Sequence, residues 1–253
     1  MKATPEDQLH LLDLQKVDAE IDLLNHKAKN LPEHSQIAEL EAIKQNTDSE
    51  LGLVSIDEAD VKREVAKAEA DAEQVRTRKT RDEARLASGQ GSAKDLEHLQ
   101  HELVSLSRRV NDLEEIELEI MMRLDEITNK ANEYRAVISD ADAKLEVLTA
   151  ARDKQLSELA ANVKNLKEER AMIAEKIAAE FLALYEKLRA SNEGVGAAAI
   201  VRKRCTGCHL DLTAIDAEKF KVAPADEVLR CEECRQILIR TVESGLVSWP
   251  ANS

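Results

Sequence analysis

From Leu96 onward the chain repeats apolar residues in alternating steps of three and four: Leu99, Leu103, Leu106, Val110, Leu113, Ile120, Leu124, Ile127, Ala131, Tyr134, Ile138, Ala141, Leu145 and Leu148. Only Glu117 lapses from the pattern. A heptad held this long commits the segment to one helix with a narrow apolar seam, and such a seam must be covered by another helix. After Arg152 the seam resumes at Leu156, Leu159, Val163, Leu166, Ile173, Ile177, Leu184 and Leu188 with a shifted phase, an insertion of the stutter type.

The covering helix precedes it in the chain. Thr4, Pro5 and two acids form a helix start, because the hydroxyl caps free amides and Pro5 has no amide to leave unpaired. A first helix over 5–30 carries Leu9, Leu12, Leu14, Val17, Ile21, Leu24 and Ala28, and Pro32 breaks or kinks it. A second, over about 33–87, carries a thin seam from Ile37 to Leu86. Ser88-Gly89-Gln90-Gly91-Ser92 then interrupts the pattern, with Ser92 and Asp95 spaced as a capping box. Short connections favour antiparallel neighbours, so the expectation is a hairpin over 1–192 with its tip near 88–92 and a kink near 32. Its arm from 33 to 87 would measure roughly 80 Å, and an unbroken return helix over 93–192 roughly 150 Å. Residues 5–30 should then pair with about 150–175, leaving 177–192 to meet whatever follows.

Composition agrees with long helices: 34% of residues are charged and 2% aromatic, and glycine and proline number seven and four. The net charge is −14. The last 54 residues balance eight Lys/Arg against eight Asp/Glu, so the excess sits in the helical part, which repels nucleic acid at long range. The start lacks the apolar core of a signal peptide and no apolar run approaches the ~20 residues that span a bilayer, so a cytoplasmic protein is expected.

Residues 193–253 read as a second domain. Its four cysteines form two CxxC pairs, Cys205/Cys208 and Cys231/Cys234, with 22 residues between them. Each CxxC turn aims two thiolates at one point, and two turns complete the tetrahedral four-sulfur shell that zinc accepts. Four protein ligands leave no open position for water, which makes one structural Zn²⁺ the expected cofactor rather than a catalytic one. The metal would stand in for a core that Phe220 and Trp249 alone can scarcely build. Thioredoxin-like redox chemistry needs one CxxC beside a βαβ pattern, which is lacking. His209 suits a supporting hydrogen bond better than the role of an alternate ligand, since four thiols already suffice. Ala199–Arg204, Glu227–Arg230 and Gln236–Arg240 read as strands, with Ile237 and Ile239 on one face, and Leu212–Phe220 as a short helix. The fold class is therefore mainly α, a long antiparallel coiled-coil hairpin with a small C-terminal α+β zinc ribbon.

Lys94-Asp95-Leu96-Glu97-His98-Leu99 after the tip, Cys205-Thr206-Gly207-Cys208-His209 and Cys231-Glu232-Glu233-Cys234-Arg235-Gln236-Ile237-Leu238 carry a resemblance. The chain resembles the bacterial proteins with a long coiled-coil hairpin and a C-terminal four-cysteine zinc ribbon, a family long catalogued as a domain of unknown function. The resemblance spans nearly the whole chain and implies zinc at the four cysteines and an interaction role; some relatives are linked to transcription-factor, secretion-system or messenger-RNA binding. Where that family usually has Gly-Arg after the last cysteine, this chain has Arg235-Gln236. Glycine there permits a left-handed backbone, so strain or a different turn is expected at Arg235.

Two clusters break the acidic field. Around the tip, Arg76, Arg78, Lys79, Arg81, Arg85 and Lys94 face only Asp82 and Glu83; beside the first knuckle stands Arg202-Lys203-Arg204. Either suits phosphates or an acidic protein surface, or is simply a solvated face. No nucleophile–base pairing, phosphate-cradling glycine loop or open metal position is present. The expectation is a non-catalytic adaptor with a protein partner, no membrane and no small-molecule substrate; the alternative is a nucleic-acid-binding regulator of DNA or RNA using the ribbon and its basic flank.

Overall fold

The computed structural model describes residues 1–246; Trp249 lies outside the described residues. Helix α1 (Pro5–Lys29) begins as its sequence dictates, with the Thr4 side chain accepting the Asp7 N–H, and ends where the Asn30 N–H returns to the carbonyls of His26 and Lys27. Helix α2 (Pro32–Ala87) starts on the proline itself, which is tolerated at a first helical position. The turn at 88–92 uses left-handed Gly89 and Gly91. There the Asp95 carboxylate accepts from the Ser92 N–H and hydroxyl while Ser92 Oγ accepts from the Asp95 N–H, closing the capping box that opens α3 (Ala93–Ala174).

The chain forms two compact units, residues 35–149 and residues 1–34 with those from 150 on. The boundary read from the sequence at 192/193 falls inside the second of these. In the unit 35–149, ion pairs between α2 and α3 follow the antiparallel register: Lys44 with Asp142 (2.5 Å), Glu64 with Arg123, Arg76 with Glu114 (2.9 Å) and Arg78 with Glu102. The seam buries Val54, Val61, Ala68 and Ala72 of α2 and Leu99, Val110, Leu113, Ala131 and Ala141 of α3.

In the other unit α1 lies along the end of α3, joined to it by Asp18–Arg170, and Gln155 of α3 donates to Glu33 in the first turn of α2 (2.5 Å). The return helix is not continuous to 192. It breaks at 175–178, where tight bonds run from the Lys176 and Ile177 N–H groups to Ile173 and Ala174, and restarts as α4 (Ala179–Ser191). The break swings Ile177, Phe181, Tyr185 and Leu188, all buried, into one core with Leu11 and Leu14 of α1.

The expected strand 199–204 is two strands, β1 (Ala197–Val201) and β2 (Arg204–Cys205), folded back over a turn in which Arg202 and Lys203 both take positive φ. Two left-handed residues in a two-residue loop match strand twist, which a continuous strand reading misses. After α5 (Ala214–Val222), β3 (Leu229–Arg230) and β4 (Ile237–Arg240) complete a sheet in the order β2-β1-β4-β3, parallel only between β1 and β4. Strand β4 is buried on both faces. Ile237 and Ile239 share the core of α1 and α4, and Leu238 points to the cysteine side with Ala198, Ile200, Phe220 and Leu229. The sheet thus joins helical base to ribbon. Among the described residues no helix is long and apolar enough to cross a membrane.

Candidate metal centre

The two knuckles are built alike. Cys205 donates its N–H to Leu210 O (3.0 Å) and accepts the His209 N–H (2.9 Å); Cys231 donates to Gln236 O (3.0 Å) and accepts the Arg235 N–H (2.9 Å). In each, the residue after the second cysteine is left-handed, with φ 61° at both His209 and Arg235. The strain expected at Arg235 is therefore real, and His209 shares it. The glycine-type conformation is kept while the glycine is absent.

The repeated turn brings four sulfurs together. Cys205 Sγ lies 3.9 Å from Cys234 Sγ and Cys208 Sγ 3.8 Å from Cys231 Sγ, and all four fall within 4.8 Å of one another. A tetrahedron with metal–sulfur bonds of ~2.3 Å has edges of about 3.8 Å, so the donor set fits a tetrathiolate metal site. Backbone amides add to it: those of Gly207 and Cys208 are directed at Cys205, that of Leu210 at Cys208 and that of Gln236 at Cys234. Burial pushes the Cys205 and Cys234 thiols up, so a cation is what would allow these sulfurs to ionise together. At Cys208 burial acts the same way, but the Leu210 amide and the neighbouring thiols outweigh it and hold the group below the usual thiol range. His209 is not in the cluster, whose members are the four cysteines alone among the described residues.

Buried polar groups that the sequence did not single out brace this centre. Gln236 packs its amide over Gly207, where an added Cβ would come within 1.7 Å of Oε1. Arg240, 5% exposed, donates to the carbonyls of Phe220, Ala223 and Pro224 and so caps α5. From α1, Gln15 accepts the N–H groups of Gly196 and Ala197 and donates to Gly194 O, while Gln8 donates to Ala3 O and Ala225 O. The N-terminal residues join in: Ala3 N–H bonds Asp226 O (2.9 Å) and Lys2 pairs with Asp226 (2.8 Å). A sequence signal existed, since Gln8, Gln15 and Asp18 sit at helical spacing among Leu11, Leu14 and Ile21.

The basic clusters are largely paired. At the tip Arg76 meets Glu114, Glu117 and Glu73, Arg78 meets Glu102 and Asp82, Lys79 meets Glu83, and Arg81 meets Asp82. Arg85 lies near Asp95, and Lys94 has no ion pair among the described residues. Beside the ribbon Arg204 pairs with Asp211 (2.8 Å), while Arg202 and Lys203 form the exposed turn whose N–H groups bond the carbonyls of Glu243 and Ser244.

A family model described as the CT398-like coiled coil hairpin domain matches residues 14–193. A protein of Mycobacterium tuberculosis described as uncharacterized is 32% identical over 240 residues, 95% of this chain and 98% of the relative. One of Mycobacterium leprae is 26% identical over 220 residues, 87% of this chain and 94% of the relative. A solved structure from Mycobacterium smegmatis superposes with a TM-score of 0.82 at 33% identity, over 95% of this chain and 100% of that one. CT398 from Chlamydia trachomatis shares the fold, with a TM-score of 0.65 at 17% identity over 93% and 98% of the two chains. With most of its length matched in sequence and in fold, the chain belongs to the CT398-like coiled-coil hairpin family.

Proposed function

We propose that this protein is a non-catalytic cytoplasmic adaptor that binds macromolecules through a helical hairpin and a ribbon held by one structural Zn²⁺. The observation that carries the reading is the closed cluster of Cys205, Cys208, Cys231 and Cys234, whose four sulfurs leave no position for water or substrate. Zinc suits four thiolates at tetrahedral spacing, and when bound it supplies folding free energy rather than chemistry. The chain's own residues do the rest. The amides of Gly207, Leu210 and Gln236 stabilise sulfur charge, and Gln15, Gln8 and Arg240 fix the ribbon to the helices, so that it presents one surface to a protein partner. Among the described residues the surface grooves are open to solvent rather than enclosed.

A second reading, a nucleic-acid-binding regulator, is favoured by the exposed Arg202–Lys203 turn beside the first knuckle. Such binding would be electrostatic and would collapse between low and moderate salt.

Pull-down from a lysate with the purified chain, with and without nuclease, separates the two. The adaptor reading expects a protein partner that survives nuclease, and comparison with Cys205→Ser/Cys208→Ser assigns the contact to ribbon or hairpin. Recovery of nucleic acid, or loss of all bound material on nuclease treatment, replaces it with the regulator reading.

A further inference from the structure

Four large apolar side chains stand in water within seven residues of α3: Ile116 (45% exposed), Leu118 (61%), Met121 (49%) and Met122 (54%). Outside this stretch no window of that length among the described residues holds more than two. Single exposed apolar residues need no explanation, but a cluster marks a contact surface. The same stretch is acidic without relief, since between Arg109 and Arg123 there are five carboxylates and no basic residue. Glu114 and Glu117 are taken by Arg76, at 2.9 and 3.8 Å. Asp112, Glu115 and Glu119 have no ion pair among the described residues, although they line one shallow groove with Ile116, Leu118 and Met122.

Helical spacing orders these groups. Steps of three and four put Asp112, Glu115 and Glu119 on one ridge, turned away from the buried seam of Val110 and Leu113. At about 100° per residue Ile116 falls on one side of that ridge, and Leu118 and Met122 on the other. The surface is a line of unpaired carboxylates between two apolar borders, running about 15 Å along the helix.

We infer that this face of α3 docks a basic amphipathic helix of a partner protein. The inference rests on the adaptor reading and names its partner's chemistry. Lys or Arg along the middle of the partner helix pairs the carboxylates, and apolar residues a turn apart cover Leu118 and Met122, the latter unbranched and able to adapt to the shape presented. Nucleic acid and anionic lipid are repelled by the ridge. A second copy laid on the same face would bring its own carboxylates against these, so the charge favours a foreign, basic partner.

The test uses the full chain and a labelled Leu/Lys peptide of amphipathic helical spacing, read by fluorescence anisotropy at physiological salt. A scrambled Leu/Lys peptide serves as control, and circular dichroism checks that each variant keeps its helicity. Binding is expected to weaken about tenfold in Leu118→Ser/Met122→Ser and in Glu115→Gln/Glu119→Gln, and to stay unchanged in Glu133→Gln/Glu146→Gln, which removes the same charge elsewhere on α3. Equal binding by all variants, or by the scrambled peptide, overturns the inference and leaves the adaptor reading to its own pull-down. Sedimentation supplies one further outcome: self-association of the wild type that Leu118→Ser/Met122→Ser abolishes would give this face to a second copy and also overturn it.

Discussion

Arg235 and His209 hold φ at 61° where each knuckle turns back on itself, a conformation that costs a side-chain-bearing residue roughly 1–2 kcal/mol. Arg235→Gly should therefore stabilise the metal-loaded ribbon by about 1 kcal/mol, seen as a higher urea midpoint; an unchanged or lower midpoint would mean that the extra freedom glycine gives the unfolded chain offsets the relieved strain. Asp18 is the opposite kind of residue, a carboxylate 2% exposed that accepts from Tyr185 Oη (2.7 Å) and Arg170 (2.6 and 3.1 Å) and lies 3.4 Å from Arg189. Burial, then the Asp18 hydrogen bond, pushes the Tyr185 phenol up, so it stays a donor at any physiological pH. Tyr185→Phe should cost about 1.5–3 kcal/mol and Arg170→Ala more, because the latter leaves a buried charge short of its cation. Equal thermal midpoints for the two variants would show that Arg189 takes over the pairing.

At the scale of elements, the junctions carry the argument. Gly196 lies so close under α4 that an added Cβ would meet the Tyr185 ring at 2.6 Å and its carbonyl oxygen at 2.7 Å. Backbone cannot yield as a flexible side chain does, so Gly196→Ala is expected to destabilise by about 1–3 kcal/mol, measured by thermal melting against an alanine placed at the unhindered Gly52. At the hairpin turn, hydrogen bonds from the Ser92 hydroxyl and amide hold the Asp95 carboxyl below its ordinary 3.8. A carboxyl depressed in the folded state stabilises above its unfolded pKa and loses that contribution as pH falls through the folded one. Amide exchange at the start of α3 should therefore rise, relative to intrinsic rates, as pH drops below about 3.8, and Asp95→Asn should abolish the dependence. The capping box was readable because its chemistry is local. The break at 175–178 was not: the segment has neither glycine nor proline, α4 has no side-chain cap, and the apolar spacing runs straight across it. What accompanies it is tertiary: beyond the break Phe181 and Tyr185 are buried in one core with Leu11 and Leu14 of α1.

For the whole molecule the consequence is a division of stability. Ile237 and Ile239 share a core with α1 and α4, whereas the cysteine side of the sheet has its own cluster around Phe220 and Leu238. Removing the metal with a strong chelator should unfold the ribbon and loosen α1 and α4, while residues 35–149, which have their own internal contacts, keep their protection. Hydrogen exchange with and without chelator checks this, and uniform loss of protection would show that the metal supports both units.

By itself the sequence determined whatever rests on neighbours a few residues apart: the heptad seam, the helix starts at Thr4 and Ser92, the two-glycine turn and the paired CxxC knuckles. Each is a local geometric commitment that any surroundings would leave in place. Only the tertiary structure decided that Lys2 and Ala3 reach Asp226, that Gln15 caps the edge of β1, that β1 and β4 run parallel, and that Arg202 and Lys203 turn rather than extend. Those features join residues up to 224 positions apart, and a polar side chain in a helix gives no local sign of whether water or a distant backbone amide will satisfy it.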